Sequence, residues 1–418
     1  MKEVNSNVLS FPQQTSDVLT DILRRGAQDL LSQAVKAEVA VYIDAHSGLQ
    51  DNRGYRLVVR NGHLPEREIQ TPLGQITIKQ PRVNDKRLGA EGQRFKFTSA
   101  ILPAYLRRTK SLEELIPWLY LKGISSGDFG DALSALLGKD APGLSAATVG
   151  RLKEGWQTDH EVWSKRRFDN KRYIYIWADG IYFNIRLGED DLMCILVIMG
   201  ATVDGIKELI AVEAGYREST LSWKNILAGL RDRGLTIAPE LATGDGALGF
   251  WSALEEIFPT TRQQRCWVHK TANVLDKLPK NKQPEAKKLL HEIYNADTKV
   301  NANKTFDRFL EIFGDKYDKA CECLQKSRVE LLTFYDFPAI HWKHIRSTNP
   351  IESTFATVRL RTARTKGCGS TTATLTMVFK LAQCAEKGWI KLTGSKLLAD
   401  VIDTRFMFVD GVKKDRVA

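Results

Sequence analysis

The stretch YIYIWADGIYF, residues 173–183, sets a single carboxylate, Asp179, inside a run of strand-forming residues. Tyr173, Tyr175 and Trp177 alternate with Ile174 and Ile176, the pattern of a β-strand covered on both faces. A charge buried in such a strand is costly without a partner. Asp179 therefore either opens an ordinary turn with Gly180 or holds a cation.

Downstream, YFNIRL (182–187), MCILVIMGATV (193–203) and KELIAVEA (207–214) read as three more strands. A helix is expected over 219–233, then a strand in ELATGD (240–245) that ends at Asp245. ALGFWSALEEIF (247–258) is helical, RQQRCWV (262–268) is a strand, and a further helix starts near His269. Strands joined by short turns, followed by alternating helices and strands, predict an α/β fold. Its mixed sheet begins as a meander and continues by crossovers. Ribonuclease H-like cores have this order. Residues 276–340 are Lys-rich and helical in character, which reads as an all-helical insertion into that core.

Upstream, Leu19, Ile22, Leu23, Leu30, Leu31, Ala34 and Val35 recur at spacings of three and four within residues 17–45. They form one apolar stripe on a helix, which either packs internally or pairs with a second copy. Residues 51–83 switch to period two, punctuated by Asn61-Gly62 and Leu73-Gly74, and predict a small basic hairpin or meander. Residues 84–99 read as a polar loop. Over 111–156, Ser111 and Glu114 form a capping box, Gly123 stops the helix, and Ser145 caps another. Helices joined by tight breaks fit a helix-turn-helix, although any small helical bundle shows the same pattern.

At 418 residues, 43% of them hydrophobic, the chain has room for two or three domains. Mean hydropathy is −0.28, and no apolar run approaches the roughly 20 residues a membrane span needs. MKEVNSNVLSFPQQTSD lacks the basic-then-apolar layout of a signal peptide, and six scattered cysteines form no disulfide framework. A cytoplasmic location without membrane contact is the expectation. The net charge of +11 is uneven. Residues 51–110 hold thirteen Lys/Arg against five Asp/Glu, and residues 341–390 hold eight against two. Two basic segments point to a polyanion gripped at two places, nucleic acid being the usual one. Solvated surface is the plainer account.

Asp179 is expected to close the first strand and Asp245 the fourth core strand, and in a sheet of this order those strands are neighbours. Each acid precedes a glycine, Gly180 or Gly246, which gives a tight exit and lets a ligand come close. Two like charges so placed repel unless a cation bridges them, and hard oxygen ligands suit Mg²⁺ or Mn²⁺. Taken singly, each is more simply an Asp-Gly turn. A third acid, Glu352, lies in HWKHIRSTNPIESTFATVRLRT (341–362), where Asn349-Pro350 halts the chain and a helix begins near Ile351. The helix dipole alone favours a first-turn carboxylate, but this one stands amid a basic run. Arg359, Arg361, Arg364 and Lys366 beyond it fit phosphate contacts, or a basic exposed helix face.

WADGIYF around Asp179, TGDGALGFWSAL around Asp245, QRCWVHK after it and the block around Glu352 together resemble a known family. It is the Mutator-type transposases of prokaryotic insertion sequences, the insertion-sequence 256 family. RNGHLPEREIQTPLGQITIKQPRV and the LYLKGIS to LSAATVGRLKEGW region follow the family's order too, so the resemblance covers most of residues 50–390. It implies a DDE enzyme with Asp179, Asp245 and Glu352 as catalytic residues and metal ligands. They would hold two Mg²⁺ or Mn²⁺ ions per active site, in a ribonuclease H-like core interrupted by the helical insertion. The implied partners are DNA, as terminal inverted repeats and target, and further copies of the chain in a homodimer or larger synaptic complex.

The expected segments are an N-terminal helical region (1–50), a basic β-rich DNA-binding segment (51–110) and a helix-turn-helix (111–165). The core follows (166–275), then the insertion (276–340), the last core part with Glu352 (341–395) and a tail (396–418). Cys266 and His269 form a Cys-x-x-His pair that the family also shows. Zinc would need two further ligands, and a structural or DNA-positioning role for His269 is preferred. His341 and His344 fit phosphate contact and helix packing equally. The chain has no P-loop. Two rival readings are a structure-specific nuclease on the same fold and a domesticated DNA-binding regulator.

Overall fold

The structure is a computed structural model describing residues 18–89, 92–104, 106, 109, 146–184, 192–215, 217–246, 248–364 and 370–416. The chain divides into two units, residues 1–120 with 124–149, and residues 121–123 with 150–418.

In the first unit, helix α1 (Val18–Asp44) is followed by four short strands, β1 (Val58–His63), β2 (Arg67–Thr71), β3 (Gly74–Ile78) and β4 (Pro81–Asp85). β2 and β3 form a hairpin whose exit residue, Gly74, takes φ 103°, a conformation that favours glycine. Asn61-Gly62 does not separate two strands as expected. It lies within β1, where the pairing with β4 shifts register between Arg60 and His63 and Gly62 takes φ 66°. Val35 of α1 packs with Ile69, Ile78 and Leu102 in the core of this unit. Leu19, Ile22, Leu23 and Leu30 remain exposed, so the apolar stripe packs internally only through its second half. Most of the expected helix-turn-helix, residues 111–145, lies outside the described residues; its last helix is α2 (Ala146–Ser164).

The second unit is built on a five-stranded sheet of order β7-β6-β5-β8-β9. β5 (Tyr173–Asn184), β6 (Leu192–Thr202) and β7 (Lys207–Gly215) form an antiparallel meander. β8 (Leu241–Gly244) runs parallel to β5, and β9 (Arg262–Arg265) parallel to β8. The strand expected at 173–179 and the described part, 182–184, of the one expected at 182–187 are a single strand, and Asp179 does not close it. Gly180 pairs with Leu196, and the ladder continues to Asn184 opposite Leu192. Since β6 presents a partner for each of these residues, the backbone meets its hydrogen-bonding demand by staying extended. β6, β7 and β8 stand where they are expected, but the strand expected over 262–268 stops at Arg265, because Cys266 is the N-cap of a helix that already holds Trp267 and Val268.

Helices α3 (Thr220–Asp232) and α4 (Leu248–Ile257) cover one face of the sheet. Trp223, Leu227, Leu230, Phe250 and Leu254 bury Ile176, Ala178, Leu196 and Ile198 there. After α5 (Trp267–Leu275) come α6 (Gln283–Tyr294), α7 (Lys299–Phe313) and α8 (Asp318–Gln325), so the stretch expected to be helical is so. Lys270 of α5, fully buried, donates to the Cys323 carbonyl at 2.8 Å and the Ser327 hydroxyl at 3.0 Å, which ties these helices to the sheet's neighbour.

The opposite face receives residues 341–348 and then α9 (Asn349–Arg364) and α10 (Thr371–Glu386). Buried polar groups fasten the 341–348 strap across β5 and β8. The Tyr175 hydroxyl meets His341 Nδ1 at 2.8 Å, and Trp177 Nε1 donates to the His344 carbonyl at 2.9 Å. The Thr243 hydroxyl donates to the Ile345 carbonyl at 2.7 Å, and the Trp267 N–H to the Arg346 carbonyl at 3.0 Å. His341 is fully buried and its Nε2 lies 3.0 Å from the Gly394 carbonyl, so packing is its role. No helix among the described residues is long and apolar enough to cross a membrane.

Thr243→Val keeps the shape at this position but strands the buried Ile345 carbonyl. A loss of about 1–3 kcal/mol is expected in urea unfolding, while a wild-type midpoint would show that the strap does not depend on this bond.

Candidate active site

Parallel pairing sets Ala178 opposite Gly244, so Asp179 and Asp245 follow on neighbouring strands, near enough for the charge of Asp245 to act on Asp179; the ligand atoms of Asp179, Asp245 and Glu352 do not all lie within 4.8 Å of one another. Asp179 is 5% exposed, and its Oδ1 accepts the Gly180 N–H at 2.9 Å. Burial pushes its carboxyl up to about 7; His269 opposes this, and Asp245 and then Glu218 add to it. Asp245 is half-buried, and its carbonyl accepts Trp251 Nε1 at 3.1 Å. The Arg265 guanidinium lies across Gly246 in the space a β-carbon would take. Burial holds Arg265 below the ordinary arginine value, and Asp245 opposes that shift.

Glu352 arrives from the opposite side of the sequence on the first turn of α9. Thr348, at the end of the strap, donates its hydroxyl to Glu352 Oε1 at 3.0 Å, and its N–H lies 3.3 Å from Cys266 Sγ. The Cys266 N–H donates to the Gly244 carbonyl at 2.8 Å, which docks the Cys-x-x-His turn directly beyond β8. His269 Nε2 then lies 3.7 Å from Glu352 Oε1. Its hydrogen bond with Cys266, with the charges of Asp179 and Asp245 and against burial, raises the imidazole to about 9. A protonated His269 therefore links the aspartate pair to Glu352. One ligand atom each from Cys266, His269 and Glu352 lie within 4.8 Å of one another.

Among the other expected residues, Arg359 is exposed on α9 with its guanidinium 6.0 Å from the Phe355 ring. The side chains of Arg361 and Arg364, and all of Lys366, lie outside the described residues. His344 meets the Thr393 hydroxyl at 3.2 Å, and burial lowers it to about 4, which suits packing rather than phosphate contact. Sequence reasoning missed Glu218, Arg265 and Thr348. Glu218 had one usable signal, an acid at the end of the third strand immediately before the capping serine Ser219.

The family described as "Transposase, Mutator family" matches residues 2–391. The chain is 48% identical to the transposase for insertion sequence element IS6120 of Mycolicibacterium smegmatis, over 69% of this chain and 88% of that protein. It is 49% identical to the transposase for element IST2 of Acidithiobacillus ferrooxidans, over 68% of this chain and 95% of that one. Identity to the transposase for IS256 in transposon Tn4001 of Staphylococcus aureus is 27%, over 82% of this chain and 85% of its length.

The raised Asp179 carboxyl fixes a pH dependence. Folded protein holds this proton more tightly than unfolded chain, so metal-free protein loses stability as pH rises from about 4 to about 7. Asp179→Asn removes that loss. At pH 8 in chelator the variant should be more stable than wild type by roughly 2–4 kcal/mol, with the gap closing near pH 4. Thermal melts across that range test it; a gap independent of pH would refute the burial of a charge at this position.

Proposed function

The chain belongs to the Mutator family of transposases, a transposase of the insertion-sequence kind, and on that premise we propose a DDE mechanism on a ribonuclease H-like core. In this reading Asp179, Asp245 and Glu352 are the catalytic acids. The single observation that carries it is the parallel register of β5 and β8, which delivers both aspartates to His269, itself beside Glu352. The antiparallel meander followed by parallel strands supports the ribonuclease H-like assignment.

The buried Asp179 carboxylate and the half-buried carboxylates of Asp245 and Glu352 offer hard oxygen donors of the kind a divalent cation takes, with Arg265 also beside Asp245. Asp179, Asp245 and Glu352 would hold two Mg²⁺ or Mn²⁺ ions. Bound there, such ions would supply Lewis-acid chemistry, lowering the pKa of a water or a DNA 3′-OH and offsetting charge on the leaving 3′ oxygen. The protein's own part is positional. Thr348 fixes the Glu352 carboxylate, Gly244 and Cys266 fix His269, and protonated His269 offsets the repulsion among the acids. Hydrolysis and strand transfer then differ only in the nucleophile.

The substrate is DNA, with the basic N-terminal residues 51–110 and the 111–165 segment binding terminal inverted repeats. Arg359, Arg361, Arg364 and Lys366 contact phosphates near the acids. Two element ends must be processed together, so the working form is a homodimer or a larger complex. Affinity for DNA should fall steeply with salt.

Asp179→Asn, Asp245→Asn and Glu352→Gln should each lower Mg²⁺-dependent nicking of a terminal-repeat duplex by roughly a thousandfold or more. Gel-shift affinity for the same duplex should stay within about threefold of wild type. Nicking at the wild-type rate by any one of the three variants would remove that residue from the triad.

A further inference from the structure

A cavity of about 380 Å³ lies between α5, α6 and the junction of the strap with α9. Lys287, His291 and Tyr294 reach it from α6, and Lys343 and Arg346 from the strap. Ser347 and Asn349, also on its wall, bracket Thr348, whose hydroxyl holds Glu352 Oε1 at 3.0 Å. The cavity therefore abuts the segment that seats the third acid of the proposed triad. Among the described residues that line it there is no Asp or Glu.

Arg346 is half-buried. Burial holds it below the ordinary arginine value, and among the described residues only the phenols of Tyr294 and Tyr335 oppose that shift. One of its N–H groups donates to the Tyr294 carbonyl at 2.7 Å, and its guanidinium lies 4.7 Å from the centre of the Tyr294 ring. A cation partly withdrawn from water without a carboxylate partner is costly, and an arriving anion relieves that cost. Lys287 and Lys343 are exposed at the rim. The Tyr294 ring stands 5.2 Å from that of Trp267 and 5.2 Å from that of His291. Cations and rings with no acid suit a nucleotide strand, whose phosphates pair with Lys and Arg and whose bases stack on aromatic and guanidinium faces. The volume is at the low end for ligand pockets, about 300–1,000 Å³, which leaves room for one nucleotide and not for a duplex.

We infer that this cavity takes one unpaired nucleotide of the DNA strand flanking the cleavage point, its phosphate on Lys287, Lys343 and Arg346 and its base against the His291 and Tyr294 rings. The assignment rests on the DDE reading given above, which sets Glu352 at the cleaved phosphate. It gives the helical insertion a task in the reaction. α6 supplies one side of the grip on the flank, and the strap that seats Glu352 supplies the other.

Fluorescence anisotropy of the full-length chain, in chelator so that no strand is cut, tests it. One probe is a terminal-repeat duplex blunt at the cleavage point; the others carry a short unpaired flank beyond it, of either polarity. Wild-type protein should bind one of the flanked duplexes about tenfold more tightly than the blunt one. Lys287→Ala combined with Lys343→Ala should reduce that preference to about twofold or less. Its melting temperature should stay close to wild type, since both side chains are exposed. Lys316→Ala combined with Lys319→Ala removes two exposed charges elsewhere in the insertion and should leave the preference intact. Equal affinity of wild-type protein for blunt and flanked duplexes overturns the proposal. So does a preference that survives without Lys287 and Lys343, or one lost equally without Lys316 and Lys319. The two readings fail separately, because the triad is judged by metal-dependent nicking in Asp179→Asn, Asp245→Asn and Glu352→Gln. Lost nicking in those variants beside equal affinity for all probes removes the cavity alone.

Discussion

The hydrogen bonds that pair β5 with β8 in parallel are the constraint on which the rest of the unit depends. A slip of one residue would turn Asp179 to the opposite face and bury it against the Trp223 and Phe250 cluster. The register is protected because Ile176 and Ala178 must stay in that cluster while Tyr175 and Trp177 bind the strap. Both faces of the strand therefore vote for the same alignment, and the acid's position follows from apolar and aromatic packing around it. Asp179 makes no packing contribution of its own that could fix it.

Around that register the sheet gathers charges that oppose folding. Asp179 and Glu218 are both pushed up to about 7 by burial first and neighbouring acids second, so metal-free protein holds protons there that ordinary carboxyls would release. His269 provides the opposite charge from within the chain. Arg265, also beside Asp245, is itself held down by burial. The arrangement is one of stored electrostatic cost at a single edge of the sheet, the kind of cost proteins retain where a ligand relieves it.

Much of this was legible in the sequence. The alternation in 173–178, the Asp245 strand end and the neighbouring of their strands follow from pattern and topology. The continuation of β5 through Asp179-Gly180 was not, because local turn propensity favours a break there and only the long partner strand β6 overrides it. Glu218 was hidden for a different reason. Its side chain takes the space above Gly180, and a glycine's missing side chain does not say which neighbour fills it. The roles of His341 and Thr348 were equally closed to inspection, since their partners Tyr175 and Cys266 are remote in the chain. Pattern reads what neighbours in sequence do; buried polar contacts between distant segments have no local signature.

The strap has a consequence for the order in which the site is put together during synthesis. Ribosomes deliver both aspartates early, yet Glu352 emerges only after the helices that Lys270 anchors, and its seat on the sheet needs Tyr175, Trp177 and Thr243 already in place. A nascent or prematurely terminated product ending before residue 341 thus keeps two of the acids but has no strap to seat the third. The face of the sheet that carries Asp179 is therefore completed only after residues 341–352 have emerged and settled on it.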